Sequence, residues 1–147
     1  MNLKMFDEKF IREMHIWAIP TLRVALGIVF LWFGLLKIIN TSPVVDLIKN
    51  TYSFVSVESF VTVLGVWEVA IGLGLLFNVA LRATLALLWL QMLGTLVAPA
   101  LNPSIFWTDG NIFLLTMEGE FVVKNLVLIV AGFVIGGYEV GKEKRNA

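Results

Sequence analysis

The chain has 147 residues, and 59% of them are hydrophobic, well above the roughly 45–50% that is usual in a soluble domain. Its formal net charge is zero, it has no cysteine, and its one histidine is His15. The zero net charge provides no overall field that would point to nucleic acid, and the cysteine and histidine counts exclude disulfides, cysteine-ligated clusters and a haem held by two histidines of this chain. We therefore expect an integral membrane protein with the lipid bilayer as its solvent and no covalently bound cofactor.

The residues before the first apolar segment have the pattern of an amphipathic helix, with charges opposite one apolar stripe. The apolar stripe consists of Leu3, Phe6, Phe10, Met14 and Trp17. Two structures fit this pattern. One is an interfacial helix on the membrane surface with a break or bend at Pro20, and the other is a helical extension of the first span.

Four apolar segments are long enough to cross a bilayer as helices, which takes about 20 residues. They lie near 17–39, 59–81, 83–101 and 121–138. Only Asn78 to Arg82 separates the second segment from the third, so these two are expected to form a tight hairpin. The sequence predicts an all-α, single-domain protein, 1–147, folded as a four-transmembrane-helix bundle.

Two longer loops join the spans at the end opposite the termini. The loop from Asn40 to Val57 is apolar enough to hold a short surface helix. The loop from Asn102 to Gly119 has Asp109-Gly110 between two apolar runs, which is typical of a hairpin. This second loop predicts a small outer cap, hairpin or re-entrant, that either packs on the bundle or acts as a lid.

Lysine and arginine are enriched on the side of the two termini, which an even number of spans places together. The basic residues on that side are Lys4, Lys9, Arg12, Arg82, Lys142, Lys144 and Arg145. The opposite loops hold Lys49, with Lys37 and Lys124 at their edges, and their acidic residues are Asp46, Asp109, Glu118 and Glu120. The positive-inside rule then predicts a multi-pass protein of the inner (plasma) membrane with both termini in the cytoplasm.

Each span carries a stripe of small and polar residues at helical spacing, which indicates the face turned toward other helices. In chain order the stripes are Arg23, Gly27, Phe30, Gly34 and Lys37; Glu58, Gly65, Glu68 and Gly72; Thr84, Gln91, Gly94, Thr95, Ala98 and Asn102; and Asn125, Gly132 and Gly136. Gly132 and Gly136 have an alternative interpretation, in which they contact a second chain.

Glu68 is the most informative of these residues, because it is the only charged residue between Glu58 and Arg82. A charge at mid-depth costs roughly 2.5–3.5 kcal/mol on insertion scales, so we expect Glu68 to be paired, protonated or used, and it is the candidate catalytic residue. With Lys37, Glu58 and Glu120 taken as the outer boundary and a rise of about 1.5 Å per residue, Arg23 falls roughly 6 Å deeper than Glu68, a distance that its side chain can cover. Gln91, measured from Arg82, falls at a depth similar to that of Glu68. The sequence thus predicts a central group of Arg23, Glu68 and Gln91.

A second polar group falls near the outer ends of the spans. Its members are Lys37, Glu58, Glu120, Lys124 and Asn125. Both groups have a structural interpretation. The central group can be a buried ion pair that fixes helix register. In the outer group, Lys37 and Lys124 can extend to the interface, and Glu120 with Lys124 is an ordinary i,i+4 pair. In the functional interpretation the candidate ligand-binding residues are Arg23, Glu68, Gln91, Lys37, Lys124 and Asn125. No pattern indicates a metal site.

Three stretches resemble the DoxX-like membrane proteins: 23–37 their first helix, 65–72 their second, and 119–125 the last helix of relatives that include reactive-chlorine-resistance membrane proteins. The positions that match the family pattern are Arg23, Lys37, Glu68 and Lys124. The resemblance implies a four-helix bacterial inner-membrane protein. The family is named after a small subunit associated with a thiosulfate:quinone oxidoreductase, and nothing in this chain carries over a thiosulfate site.

Two functions remain open, and whether the chain is an enzyme stays open with them. The first is a redox accessory or subunit that binds a non-covalent quinone or similar lipophile, with Glu68 handling the proton and Arg23 tuning its proton affinity. The second is a non-enzymatic assembly, stress-response or small-solute transport protein with structural charges. A partner subunit or a homo-oligomer is compatible with either.

Overall fold

The computed structural model describes residues 3–42, 45 and 56–142, and within them the chain is helical and without a β-strand. The helices are α1 (Leu3–Ile38), α2 (Val57–Phe77), α3 (Leu81–Leu101), the single turn α4 (Pro103–Phe106) and α5 (Met117–Ile135), which continues as a π-helix (Gly136–Val140). Four of them, α1, α2, α3 and α5 with its π-helical end, are long and apolar enough to cross a membrane. This confirms the predicted all-α, multi-pass class.

The first helix, α1, runs without interruption for 36 residues. At a rise of about 1.5 Å per residue it is about 54 Å long, well beyond a bilayer core. Proline removes one backbone donor, but the helix continues through Pro20. The predicted break is therefore wrong, and the alternative of a helical extension is the one observed. Its apolar residues are exposed there, and Phe6 and Phe10 stack with ring centroids 6.4 Å apart.

The antiparallel helices α1 and α2 make the most extensive contact in the molecule, through two pairs of glycines. Gly34 faces Gly65, and Gly27 faces Gly72. A methyl group on Gly34 would lie 2.6 Å from the carbonyl oxygen of Gly65, so neither position has room for a side chain. Small residues let membrane helices approach closely, and here they fix the register of α1 against α2.

The glycines of the fourth stripe pack inside the chain as well. A methyl group on Gly132 would lie 2.8 Å from the indole nitrogen of Trp89, and one on Gly136 would lie 3.0 Å from Leu85. Both neighbours belong to α3. These two glycines thus serve the contact of α5 with α3, and their alternative role of facing a second chain does not fit this packing.

The main hydrophobic core lies in the half of the molecule nearer the termini. Its members come from all four long helices, and the most buried are Ile71, Leu75, Leu85, Leu88 and Ile135. A second, smaller core of Ala98, Phe106 and Val122 lies at the opposite end, where α3 and α5 are connected. Between the two cores lies a cavity, and Glu68 and Gln91 are among the residues that line it.

The connection from α3 to α5 contains α4 and a 3₁₀ turn at Thr108–Gly110. An isolated antiparallel bridge pairs Trp107 with Leu115 around that turn. Thr116 ends the connection, since its hydroxyl accepts a hydrogen bond from the Gly119 N–H (3.1 Å) and caps α5. The predicted surface helix of the first loop falls mainly on 43–44 and 46–55, outside the described residues.

Candidate functional site

Glu68 lies on α2 and is 7% exposed, with two polar partners from other helices. The Lys37 ammonium of α1 donates to Glu68 Oε2 at 2.6 Å, and the Gln91 amide of α3 donates to Glu68 Oε1 at 2.5 Å. Lys37 and Gln91 are also buried. Each carboxylate oxygen therefore has one donor, and the cluster ties three helices together.

Helix geometry explains why Lys37 reaches Glu68. Side chains on an α-helix tilt toward the N-terminus of that helix. Because α1 and α2 are antiparallel, Lys37 near the end of α1 tilts toward the middle of the molecule, while Glu68 tilts toward the end that carries Lys37. The glycine contacts hold the two backbones close enough for the side chains to meet.

Arg23 does not belong to this cluster, so its predicted grouping with Glu68 is wrong. The contact of Gly27 with Gly72 sets Arg23 opposite Leu76, eight residues or about 12 Å of helix rise from Glu68. The side chain of Arg23 also tilts away from Glu68. The prediction treated Lys37 as a marker of the membrane boundary, whereas the structure buries it.

Arg23 instead makes its contacts at the end of the helices nearer the termini. Its guanidinium donates to the carbonyl oxygens of Leu75 and Leu76, the latter at 3.3 Å, and lies 3.8 Å from a Glu139 oxygen. Leu75 and Leu76 belong to the last turn of α2, where carbonyls lack partners within the helix. Glu139, in the π-helix, is a partner that the sequence did not indicate.

Beside the Lys37–Glu68–Gln91 cluster is a cavity of about 480 Å³ lined by α1, α2, α3 and α5. Most of its wall is apolar and aromatic, with Phe30, Phe33, Phe60, Trp67 and Phe121 among the lining residues. Its polar lining side chains are Lys37, Glu68, Gln91, Thr95, Lys124 and Asn125. The cavity thus combines a large apolar surface with a compact polar region.

The members of the second predicted group differ in their position relative to this cavity. Asn125 is buried on α5 and donates to the Thr95 hydroxyl at 3.3 Å, and that hydroxyl donates to the Met92 carbonyl at 2.9 Å. Lys124 is at the rim, with its side chain 74% exposed, and pairs with Glu120 at 3.6 Å in the predicted i,i+4 arrangement.

The structure therefore combines the two predicted groups into one. Lys37 and Asn125 of the outer group line the same cavity as Glu68 and Gln91 of the central group. Glu58 is exposed and is not among the lining residues. The hypothesis that Lys37 extends to the interface is wrong, because Lys37 is 6% exposed and bonded to Glu68.

One buried polar atom in the cavity wall has no partner within the described residues. It is Gln91 Oε1, the carbonyl oxygen of the amide whose nitrogen donates to Glu68. Gln91 is 8% exposed. A buried acceptor without a donor is costly, so such an atom indicates a place where a ligand or water completes the site.

The tryptophans differ in their relation to the cavity. Trp67 lines it, and its indole N–H donates to the Leu87 carbonyl at 3.1 Å, which holds the ring in place. Trp89 stacks on Phe133 at 4.8 Å between centroids and is not among the lining residues. The sequence alone does not distinguish Phe33, Phe60 or Phe121 as cavity residues, because one apolar aromatic residue in a span resembles another.

Other kinds of site have less support in the part of the chain that the structure describes. His15 is exposed, and residues 3–42, 45 and 56–142 hold no group of three or more His, Asp or Glu side chains arranged for a metal ion. Compared with protein-family models, with curated proteins and with solved structures, the chain has no significant match. The cavity and its polar cluster therefore carry the functional proposal.

Proposed function

We propose that this membrane protein binds a lipophilic small molecule with a polar head group, and that a quinone is the ligand class that fits best. The observation that carries the proposal is the cavity of about 480 Å³ between the membrane-spanning helices. Ligand pockets of roughly 300–1,000 Å³ with mainly apolar walls and a few placed polar groups are typical of small-molecule sites.

The wall of the cavity matches the two chemical parts of such a ligand. Aromatic side chains, among them Phe30, Phe60 and Trp67, offer surfaces for a flat ring. Lys37 has two N–H groups left after it donates to Glu68, and these suit a carbonyl oxygen of the head group. Val29 and Phe33 line the cavity and are also exposed, so an apolar tail has a route to the lipid.

A bound quinone supplies two-electron, two-proton chemistry. Under this proposal Lys37, Gln91 and Asn125 orient the head group, and Glu68 holds or releases a proton beside it. Arg23, which the sequence placed with Glu68, stabilises the end of α2 and has no part in the site.

We extend the proposal to the cellular setting that the resemblance to DoxX-like proteins implies. The chain is then a redox-linked accessory or subunit in a bacterial inner membrane, with α1, α2, α3 and α5 as a bundle and both termini in the cytoplasm. The residues between α3 and α5 form its outer cap. Support for the cap is the small core of Ala98, Phe106 and Val122 beneath this connection.

The direct test is to purify the protein in mild detergent, extract it with organic solvent and identify isoprenoid quinones by mass spectrometry. Gly94 lines the cavity, and a Cβ built on it meets no atom within 4 Å, so Gly94→Phe should fill the cavity and reduce retention. Gly137→Phe is the matched control, because Gly137 has the same free space but lies outside the cavity. Absence of quinone, together with no binding of an added decyl-tailed benzoquinone, would contradict the proposal.

A purely architectural role for the charges is the second candidate. The observation in its favour is that both oxygens of Glu68 already have partners, as a structural ion pair requires. The double variant Lys37→Met/Glu68→Leu removes both charges together. If it folds and retains quinone as the wild type does, the cluster is architectural. If it folds and loses quinone, the cluster belongs to the binding site.

A further inference from the structure

We infer that the cavity prefers a head group that presents a hydrogen-bond donor, such as the hydroxyl of a hydroquinone or a phenol, over one that offers only acceptors. This inference rests on the proposed function, since it specifies the ligand of the same cavity. It starts from Gln91 Oε1, the buried acceptor that has no donor among the described residues.

The orientation of the Gln91 amide follows from its neighbour. Amide oxygen and nitrogen positions are assigned from hydrogen-bond partners, and a carboxylate paired with an ammonium group accepts hydrogen bonds. Glu68 has the Lys37 ammonium on one oxygen at 2.6 Å, so its other oxygen takes the N–H of the Gln91 amide at 2.5 Å. The carbonyl oxygen of Gln91 is thereby left as the free end.

The other polar groups of the wall do not supply the missing donor. The Thr95 hydroxyl donates its one hydrogen to the Met92 carbonyl, and the Asn125 amide donates to Thr95. The Lys37 ammonium donates to Glu68, and its two remaining N–H groups make no bond to Gln91 Oε1. Gln91 lines the cavity, which makes an occupant of the cavity the candidate donor for its carbonyl oxygen.

This arrangement distinguishes the two redox forms of one ligand. A hydroquinone hydroxyl donates to Gln91 Oε1, whereas the oxidised quinone has only carbonyl acceptors and leaves that atom unpaired. Sites built to pair with a substrate hydroxyl discriminate against analogues that lack it, because the buried partner is then unsatisfied. We expect the donor-bearing ligand to bind about tenfold more tightly.

The experiment uses a pair of ligands that differ in the donor and do not undergo the redox reaction. Binding of 4-decylphenol and of its methyl ether, 4-decylanisole, is measured on the full-length protein in detergent by the change in tryptophan fluorescence, since Trp67 lines the cavity. Micelles without protein correct for the different partition of the two ligands. A decyl-tailed benzoquinone and its hydroquinone, measured without oxygen, form a second pair.

Two variants assign the preference to Gln91. Gln91→Met keeps the length of the side chain and removes the carbonyl acceptor, so the preference for the phenol should disappear. Thr62→Val is the control, because Thr62 is exposed, lies outside the cavity lining and donates to the Glu58 carbonyl of its own helix. It should retain the wild-type preference. If Gln91→Met fails to fold, the comparison of phenol and anisole on the wild type still decides the question.

The outcomes separate the two proposals. Tighter binding of the phenol and the hydroquinone, lost in Gln91→Met, supports the inference. Equal affinity for phenol and anisole overturns it and leaves the proposed function intact, with water as the partner of Gln91. A preference that persists in Gln91→Met overturns the assignment to this residue. Failure of all four ligands to bind contradicts the proposed function, and the inference with it.

Discussion

The two halves of the molecule each contain an ion pair between membrane helices, but the surroundings of the pairs differ. Near the connections between helices, Lys37 and Glu68 meet at 2.6 Å beside a cavity. Near the termini, Arg23 and Glu139 are 3.8 Å apart, next to the densely packed core that contains Leu75. A charge within a span marks both places equally, so charge alone does not identify a functional site.

The difference lies in what else each cation does. Arg23 donates to the carbonyls of the last turn of α2, so it acts as a cap on a helix end. Lys37 has no such backbone partner among the described contacts, and its Glu68 partner also receives an amide N–H from a third helix. The cavity, rather than the presence of charge, makes the second pair a candidate site.

The largest expected effect comes from breaking the pair beside the cavity. Lys37→Met leaves Glu68 without its cation in a buried position, where the carboxylate either stays charged or takes up a proton, at a cost in both cases. We expect the free energy of unfolding to fall by about 3–5 kcal/mol. The measurement is a denaturation curve of the purified protein in mixed detergent micelles.

A double variant separates the pair from the rest of the packing. Lys37→Met/Glu68→Leu removes both charges, and replacement of a whole buried pair by apolar residues is often neutral. It should recover most of the stability that Lys37→Met loses. A double variant as unstable as Lys37→Met would contradict the unpaired Glu68 carboxylate as the source of the loss, since the double variant lacks that carboxylate.

The sequence was sufficient for the number of long helices and for their class, because helix length and hydropathy are local properties. It was also sufficient for the association of Glu68 with Gln91 and for the inward direction of Gly34 and Gly65, which helical spacing indicates. The sequence did not identify Lys37 as the cationic partner of Glu68. That pairing depends on the register of α1 against α2 and on the direction in which the side chains tilt, and the prediction from depth alone included neither.

The cavity was beyond sequence reasoning for a different reason. A cavity is a volume that four helices fail to fill, and no single span contains that information. The contact of Asn125 with Thr95 joins residues far apart in the chain. Hydropathy gives Phe33 and Phe121 the same value whether they face lipid, core or cavity.

The glycine contacts of α1 with α2 should show the next largest effect, because they hold both halves in register. In Gly34→Ala the added methyl group would lie 2.6 Å from a backbone oxygen, so the helices must separate. We expect a loss of about 2–3 kcal/mol in the free energy of unfolding, at the upper end of the usual cost of overpacking. The same denaturation curve measures it.

Gly137→Ala is the matched control for this substitution. A Cβ on Gly137 meets no atom within 4 Å, so the variant should unfold close to the wild type. If Gly34→Ala and Gly137→Ala were equally stable, the close approach of α1 and α2 at Gly34 would be contradicted.

A smaller effect is expected from the pair near the termini. Arg23→Met removes the hydrogen bonds to Leu75 and Leu76 and leaves Glu139, whose partly exposed carboxylate can still be solvated. We expect a loss of about 1.5 kcal/mol, and no change in retention of a quinone or in binding of a decyl-tailed benzoquinone. Lower binding at unchanged stability would place Arg23 back with the functional site and remove the contrast between the halves.

The smallest effect should come from the exposed pair at the cavity rim. Lys124 and Glu120 are 3.6 Å apart, with side chains 74% and 61% exposed, and exposed i,i+4 pairs contribute only about 0.3–0.5 kcal/mol. A double-mutant cycle of Lys124→Gln and Glu120→Gln should therefore give a coupling energy within this range, and added salt should reduce it. A coupling energy as large as the loss in Lys37→Met would show that this rim pair is shielded from solvent. Lys124 at the rim would then distinguish the cavity as much as Lys37 in its wall does.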